Sequence, residues 1–118
     1  STLRGWWEED RQMSERFFHE TLHCEGQAPY FCDPWVCERI IRQHLDSHSM
    51  LCVLPLQDWI SIDGAVRFQG NPEEERINIP TNPRHYWRWR MHLSLEDLLA
   101  HSDLTRHLRV LISDSGRG

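Results

Sequence analysis

One short apolar run limits what this chain can fold into. Residues Met50–Leu56 read MLCVLPL and are bounded by polar groups, a pattern that predicts a strand buried on both faces of a helix-covered parallel sheet. Pro55 has no N–H to donate, so we expect regular pairing to fail near it. Gln57 and Asp58 follow directly. Polar groups at the carboxyl end of a buried parallel strand are where α/β barrels place their chemistry.

Two helices are predicted before this strand. The first starts from a Ser1 or Thr2 cap and runs to about Leu22. The second starts at Asp33, an N-cap residue, with Pro34 at the first helical position. Its predicted apolar face consists of Val36, Cys37, Ile40, Ile41 and Leu45.

The strand is followed by a long polar loop and a last helical region. The loop covers Gly64–Pro83, and a capping box of Ser94 and Asp97 starts the helical region, which should break near Ser102–Asp103. The order is therefore helix, helix, strand, loop, helix. One strand cannot form a sheet, so we expect residues 1–118 to be one incomplete domain, mostly helical, with its partner strands supplied from elsewhere.

Composition excludes several classes of protein. With 118 residues, 39% of them hydrophobic and 26% charged, the chain is ordinary globular material. A net charge of −5 argues against binding duplex nucleic acid. No apolar run approaches the ~20 residues that span a bilayer. Four cysteines in no disulfide-framework spacing favour a reducing, cytoplasmic setting. The chain begins inside a helical pattern without Met, and we expect it to be cut from a larger protein.

A zinc site is the metal alternative. Cys32, Cys37, His44 and His48 superficially imitate a ligand set. A zinc finger needs about twelve residues between its second Cys and first His, and the six residues here are too few. We therefore predict no metal, and nothing in the sequence implies an organic cofactor.

The segment Ile77–Leu93, INIPTNPRHYWRWRMHL, alternates aromatic and basic side chains in a way that predicts an extended structure. One side carries Tyr86, Arg88 and Arg90; the other carries Trp87, Trp89 and Met91. Nucleic acid, a sugar polymer and a structural seam are the candidate explanations, and the acidic balance disfavours nucleic acid. Tryptophans that share one face more often pack than stack on sugars, so we interpret the alternation mainly as a seam.

Three blocks resemble the C-terminal part of the 4-α-glucanotransferases of glycoside hydrolase family 77. STLRGWW is similar to the segment that follows the family's His-Asp pair, CVLPLQDW to its last barrel strand, and ERINIPTNPRHYWRWR to its Arg-Met/Ile-Asn-x-Pro element with the Trp-Arg repeat after it. The expanded loop before Thr81 resembles the longer branch, which includes plant cytosolic disproportionating enzymes, rather than the compact amylomaltases. The resemblance implies an α/β fold: the C-terminal portion of a (β/α)8 TIM barrel.

The resemblance also implies a chemistry and a location for it. Family members transfer α-1,4-glucan segments by a retaining double displacement, which needs two carboxyl groups about 5 Å apart. In the family the nucleophile and the acid/base lie upstream of the residues present here, and a third Asp would precede Ser1. We therefore expect no catalytic residue in this chain, no turnover by this segment alone, and a cytoplasmic setting.

Four residues are the predicted substrate contacts. Asn78 matches a family Asn beside the donor subsite, although an Asx turn before Pro80 explains it equally well. Gln57 and Asp58 either meet sugar hydroxyls, support the absent carboxylates, or cap the end of the strand. Trp6 or its neighbour Trp7 would line the groove while the other packs inward.

The sequence thus supports two functional hypotheses. The first is the C-terminal segment of a glucanotransferase acting on maltose, maltodextrins or soluble glucan, with the remainder of its own barrel as its partner. The second is a non-catalytic glucan-binding or scaffold module that kept this part of the fold.

Overall fold

Helices dominate the regular structure. The structure is a computed structural model that describes residues 2–77, 79–84 and 89–118. Its α-helices are α1 (Leu3–Glu9), α2 (Arg11–Arg16), α3 (Pro34–Leu45), α4 (Leu56–Ile60), α5 (Leu95–Ala100) and α6 (Ser102–Asp114). A π-helical turn at Phe17–Thr21 continues α2, and a 3₁₀ turn covers Pro72–Glu75.

The predicted first helix is present but broken at Asp10. Thr2 caps α1 by accepting the Gly5 N–H at 3.3 Å, which confirms one of the two predicted caps. Asp10 then leaves the helical conformation, with φ −141°, and its carboxylate accepts the N–H groups of Gln12 and Met13. The prediction of an unbroken helix was therefore wrong. An Asp side chain stabilises a helix start, where it accepts first-turn N–H groups, more than it stabilises a helix interior.

Helix α3 has the predicted start and the predicted apolar face. Pro34 is its first residue, and all five predicted apolar side chains are buried. Asp33 stands at the N-cap, but its carboxylate accepts no hydrogen bond from the first turn. These side chains form the centre of a core to which α1, the π-helical turn, the connector after it and α6 also contribute. The core residues outside α3 include Trp7, Phe18, Ala28, Cys32, Ile60, Val66, Leu104 and Leu111.

The predicted strand is not formed within this chain. Residues 51–55 have no regular secondary structure, and Leu56 belongs to α4. Met50 is 94% exposed and Val53 86%, whereas Cys52 and Leu54 are partly buried against the core. A strand exists only as part of a ladder, and the described ranges contain no second strand to pair with it.

The C-terminal helices follow the capping prediction. Ser94 Oγ accepts the Asp97 N–H at 3.0 Å, and the break between α5 and α6 falls at His101, next to the predicted position. Helix α5 buries none of its residues, but α6 buries Leu104 and Leu111. Beyond α6, Arg117 donates to the carbonyl oxygen of Leu45, the last residue of α3, and to those of Ser47 and Ser49 after it. The end of the chain is therefore fastened to the segment that precedes the apolar run.

Candidate functional site

A cavity of about 390 Å³ lies between α1, α3 and the residues that join the apolar run to α4. Its lining residues are Thr2, Leu3, Trp6, Ile40, Ile41, His44, Leu54 and Asp58. Trp6 and Asp58, which are far apart in sequence, are both predicted substrate contacts. The fold therefore brings two of the four predicted residues to one cavity.

Trp6 lies toward the cavity and Trp7 toward the core. Trp6 is partly exposed, lines the cavity and packs edge-on against Phe17, with ring centroids 5.2 Å apart. Trp7 is fully buried, and its indole N–H donates to the Pro29 carbonyl at 3.0 Å. Residues that follow one another on a helix lie about 100° apart around it, so both rings cannot face the same way.

Asp58 is held at the start of α1. Its Oδ1 accepts the Leu3 N–H at 2.9 Å, and the residue is 9% exposed. Burial raises the pKa of the Asp58 carboxyl above its usual range, and the hydrogen bond from Leu3 opposes that rise. One of the predicted alternatives was a cap at the end of its own strand. The Asp58 carboxylate instead binds the first turn of α1, which is distant in sequence. This contact joins the end of the apolar run to the beginning of α1.

Gln57 does not line this cavity. It is buried at the start of α4, and its main-chain carbonyl oxygen accepts a hydrogen bond from the Ser61 hydroxyl at 2.6 Å. The side chain at this position lies on a different side of α4 from Asp58 because consecutive helical residues diverge around the axis. Gln57 and Asp58 are adjacent in the sequence, but α4 directs their side chains to different sides, and only Asp58 reaches the cavity.

Asn78 lies outside the described residues, but the polar loop that leads to it is anchored. Arg4 on α1 donates to the Phe68 carbonyl at 2.7 Å and pairs with Glu75 at 3.3 Å. Glu75 is buried, and burial raises the pKa of its carboxyl, with the charge of Arg4 opposing the rise. The loop is therefore tied to α1 three residues before Asn78.

The aromatic–arginine seam is described only at its end. Tyr86, Trp87 and Arg88 lie outside the described residues, Trp89 is partly buried, and Arg90 is exposed. The packing role of the tryptophans therefore stays a prediction.

Among the described residues, the cysteines and histidines do not gather into a ligand set. Cys32 and Cys37 lie together in the core, with sulfur atoms 3.3 Å apart. In the part of the chain that is described, no group of three or more His, Cys, Asp or Glu side chains is placed to hold a metal ion. Among the same residues, every helix is too short or too polar to cross a membrane.

Sequence reasoning missed Arg4 and Glu75. Glu75 is the last of three consecutive acidic residues in a polar loop, and the sequence gives no sign that this one is buried. Arg4 lies on the same helix as Trp6 and Trp7, one of which was predicted to contact substrate. Charged residues are common on any amphipathic helix, so only the tertiary contact identifies the partner of Arg4.

Comparison with known proteins agrees with the resemblance in the sequence. The family model for 4-alpha-glucanotransferases matches residues 1–96. The chain is 41% identical over 118 residues to the 4-alpha-glucanotransferase DPE2 of rice (Oryza sativa subsp. japonica), a match that covers 99% of this chain and 12% of that protein. No solved structure matches significantly. This chain belongs to the 4-alpha-glucanotransferase family.

Proposed function

We propose that this chain is the C-terminal part of the catalytic domain of a 4-α-glucanotransferase. The whole enzyme transfers α-1,4-glucan segments between maltodextrins, or from them to glucose or soluble glucan. The family match over residues 1–96 carries the proposal, and the rice relative supports it along nearly the full chain. The chain spans about an eighth of the length of that relative, so most of the relative has no counterpart in these residues.

The chemistry proposed is a double displacement with retention at the anomeric carbon. One carboxylate forms a glycosyl-enzyme, and a second carboxyl group protonates the leaving oxygen and then activates the acceptor hydroxyl. We place both groups, and the His-Asp pair, in the part of the protein that precedes these residues. The present residues bind and position substrate and contribute no catalytic group.

The proposed fold is the last portion of a (β/α)8 barrel in which residues 50–55 become a barrel strand. The exposure of Met50, Leu51 and Val53 supports this proposal, because apolar side chains left in water by one chain are buried when neighbouring strands cover them. Asp58 would then stand at the carboxyl end of that strand, where barrel enzymes hold their active sites.

Within this fold, Asp58 has a positioning role. Its carboxylate holds the Leu3 N–H, and thereby fixes the beginning of α1 relative to the end of the barrel strand. The family's His-Asp pair would directly precede α1. A helix start that is fixed in this way restrains the backbone that carries the pair.

Asn78 is the proposed direct sugar contact, because an amide both donates to and accepts from vicinal hydroxyls. Trp6, which lines the cavity with Asp58, is a second proposed contact. Gln57 is buried behind the cavity wall and has a supporting role. The proposed partners are an α-1,4-glucan or maltooligosaccharide and the remainder of the barrel. The proposed setting is the cytoplasm, with no cofactor.

The proposal is tested in the full-length protein by replacing Asn78 with Ala. Maltose disproportionation should fall by roughly tenfold or more, since an unpaired sugar hydroxyl costs about 1–3 kcal/mol, while the free energy of unfolding changes by less than about 1 kcal/mol. Asn82→Ala is the matched control: Asn82 is exposed in the same loop, and its side chain accepts the Arg84 N–H at 3.0 Å in an Asx-type turn.

The control separates the two explanations of Asn78. Equal activity of Asn78→Ala and wild type removes Asn78 from the site, and equal losses in both variants indicate a turn residue. The proposed enzyme is contradicted if wild type, given maltodextrin, releases no glucose and forms no glucans of greater length. Glucan binding without transfer would instead favour the non-catalytic module.

A further inference from the structure

Two exposed aromatic side chains stand next to each other at the end of the connector that precedes α3. Tyr30 is 64% exposed and Phe31 60%, and their rings meet edge to face with centroids 4.9 Å apart. Neighbouring large apolar side chains left in water are unfavourable unless a ligand or another part of the protein covers them. Neither ring takes part in the cavity beside Asp58.

Phe31 lines a second cavity, of about 300 Å³. Phe68 and Gln69 of the polar loop form another part of its wall, and Arg4, Asp33 and Arg67 supply its charged groups. No lining residue is common to the two cavities. They open on different sides of α1, because Leu3 and Trp6 line the first and Arg4 lines the second.

The polar groups of the second cavity have unused hydrogen-bonding capacity. Arg67 is only 8% exposed; its Nη2 donates to the Cys32 carbonyl at 2.7 Å, and its Nε has no hydrogen-bond partner among the described residues. Asp33 stands at the N-cap of α3 without capping it. A buried donor without a partner costs about 1–3 kcal/mol, so the described residues satisfy the Arg67 guanidinium incompletely.

The charges decide which ligand chemistry fits. Arg4 is already paired with Glu75, and Asp33 contributes a carboxylate to the cavity wall beside Arg67. A phosphate or carboxylate ligand would meet the Asp33 charge. A hydroxyl group both donates and accepts, so it satisfies a guanidinium and a carboxylate together. Phe31 lines the cavity, and the Tyr30 ring stands edge to face against it. Aromatic rings at this place favour a ligand that also has an apolar face, and a pyranose has both properties.

We propose that this cavity, together with the rings of Tyr30 and Phe31, is a glucan-binding subsite separate from the cavity beside Asp58. Its ligand is a neutral α-glucan chain, one sugar of which enters the cavity while its neighbour lies over the aromatic pair. The inference rests on the proposed function, because it supplies a holding site for the same class of polymer. A long glucan reaches both sites, whereas maltose occupies only one of them at a time.

The test uses the full-length protein with Tyr30 and Phe31 both replaced by Ala. The KM for a soluble glucan of about twenty glucose units should rise about threefold to tenfold, the loss expected for removing one or two stacking contacts. The kcat and KM for maltose should not change. Leu95→Ala, which removes a side chain that is 67% exposed and does not line the cavity, is the matched control.

Retardation of the protein in a gel that contains the same glucan gives a second reading that needs no turnover. The double variant should be retarded less than wild type. An unchanged KM for the long glucan, or an equal loss with maltose, overturns the subsite. If wild type is inactive but the aromatic pair still governs retardation, the proposed enzyme falls and the subsite stands. If wild type transfers glucan and the variant matches it in both assays, only the subsite falls.

Discussion

Helix α3 and the apolar run at residues 50–56 have similar side chains and opposite surroundings. Ile41 on α3 is 1% exposed, whereas Val53 on the run is 86% exposed. The α3 face lies in one buried core with residues of α1, the π-helical turn, α4 and α6, all from the same chain. The run contacts the core only through Cys52 and Leu54.

The difference shows that apolar character predicts a need for burial, and the availability of partners decides whether burial occurs. A helix satisfies its own backbone hydrogen bonds and needs cover on one face only. A strand needs neighbours for its backbone as well as for both faces. The helical part of this chain is therefore nearly self-sufficient, and the run is not.

The largest expected effect tests the self-sufficient region. Ile41→Ala should lower the free energy of unfolding of the 118-residue chain by about 2–5 kcal/mol, because it leaves a cavity in a packed core. Val110→Ala, on the exposed side of α6, is the control and should change it by less than about 0.5 kcal/mol. Urea unfolding followed by circular dichroism measures both. Similar small effects in the two variants would mean that α3 is not packed as described.

An intermediate effect tests the joint between the two regions, where Asp58 holds α1. Burial raises the pKa of Asp58 from its usual 3.8, so the folded chain keeps this proton to higher pH than the unfolded chain does. Asp58 then favours folding most when it is protonated, and this contribution is lost as the pH rises from below 3.8 through the raised pKa.

Asp58→Asn keeps an oxygen that can accept the Leu3 N–H and removes the charge. The stability of wild type relative to the variant should therefore fall as the pH rises across this window, and then level off. Urea unfolding of both proteins at several pH values measures the difference. A difference that moves in favour of wild type with rising pH would show that the carboxylate is stabilised as an anion.

The smallest expected effect in the short chain belongs to the run itself. Val53→Thr should change the free energy of unfolding of the 118-residue chain by less than about 0.5 kcal/mol, because the side chain is in water. In the full-length protein the same change should cost about 1–3 kcal/mol, because the barrel proposal buries the hydroxyl. Equally small effects in both proteins would contradict that proposal.

Local signals in the sequence predicted the helical part well. Pro34 after Asp33, the five apolar positions of α3 and the Ser94 cap of α5 each depend on residues within a few positions of one another, and all are present in the structure. The break at Asp10 was missed because two local preferences compete there. The contacts of Asp58 with Leu3 and of Arg4 with Glu75 were missed because they join residues more than fifty positions apart.

The candidate site was predictable in part, for the same reason. The resemblance led to Trp6 and Asp58 as predicted substrate contacts, but only the fold places them at one cavity and turns Gln57 away from it. Nothing in the spacing of Phe31 and Arg67 indicates that both line one cavity. Distances between such residues depend on how helices and loops pack, and a sequence pattern describes only neighbours along one element.

The sequence by itself determined the family, the helix starts and which faces need cover, because these depend on residue type and short-range periodicity. Only the tertiary structure decided which carboxylates are buried, which rings reach a cavity and that the apolar run is left uncovered by this chain. Burial and pairing are properties of the packed whole, since they depend on which atoms from distant parts of the chain exclude water.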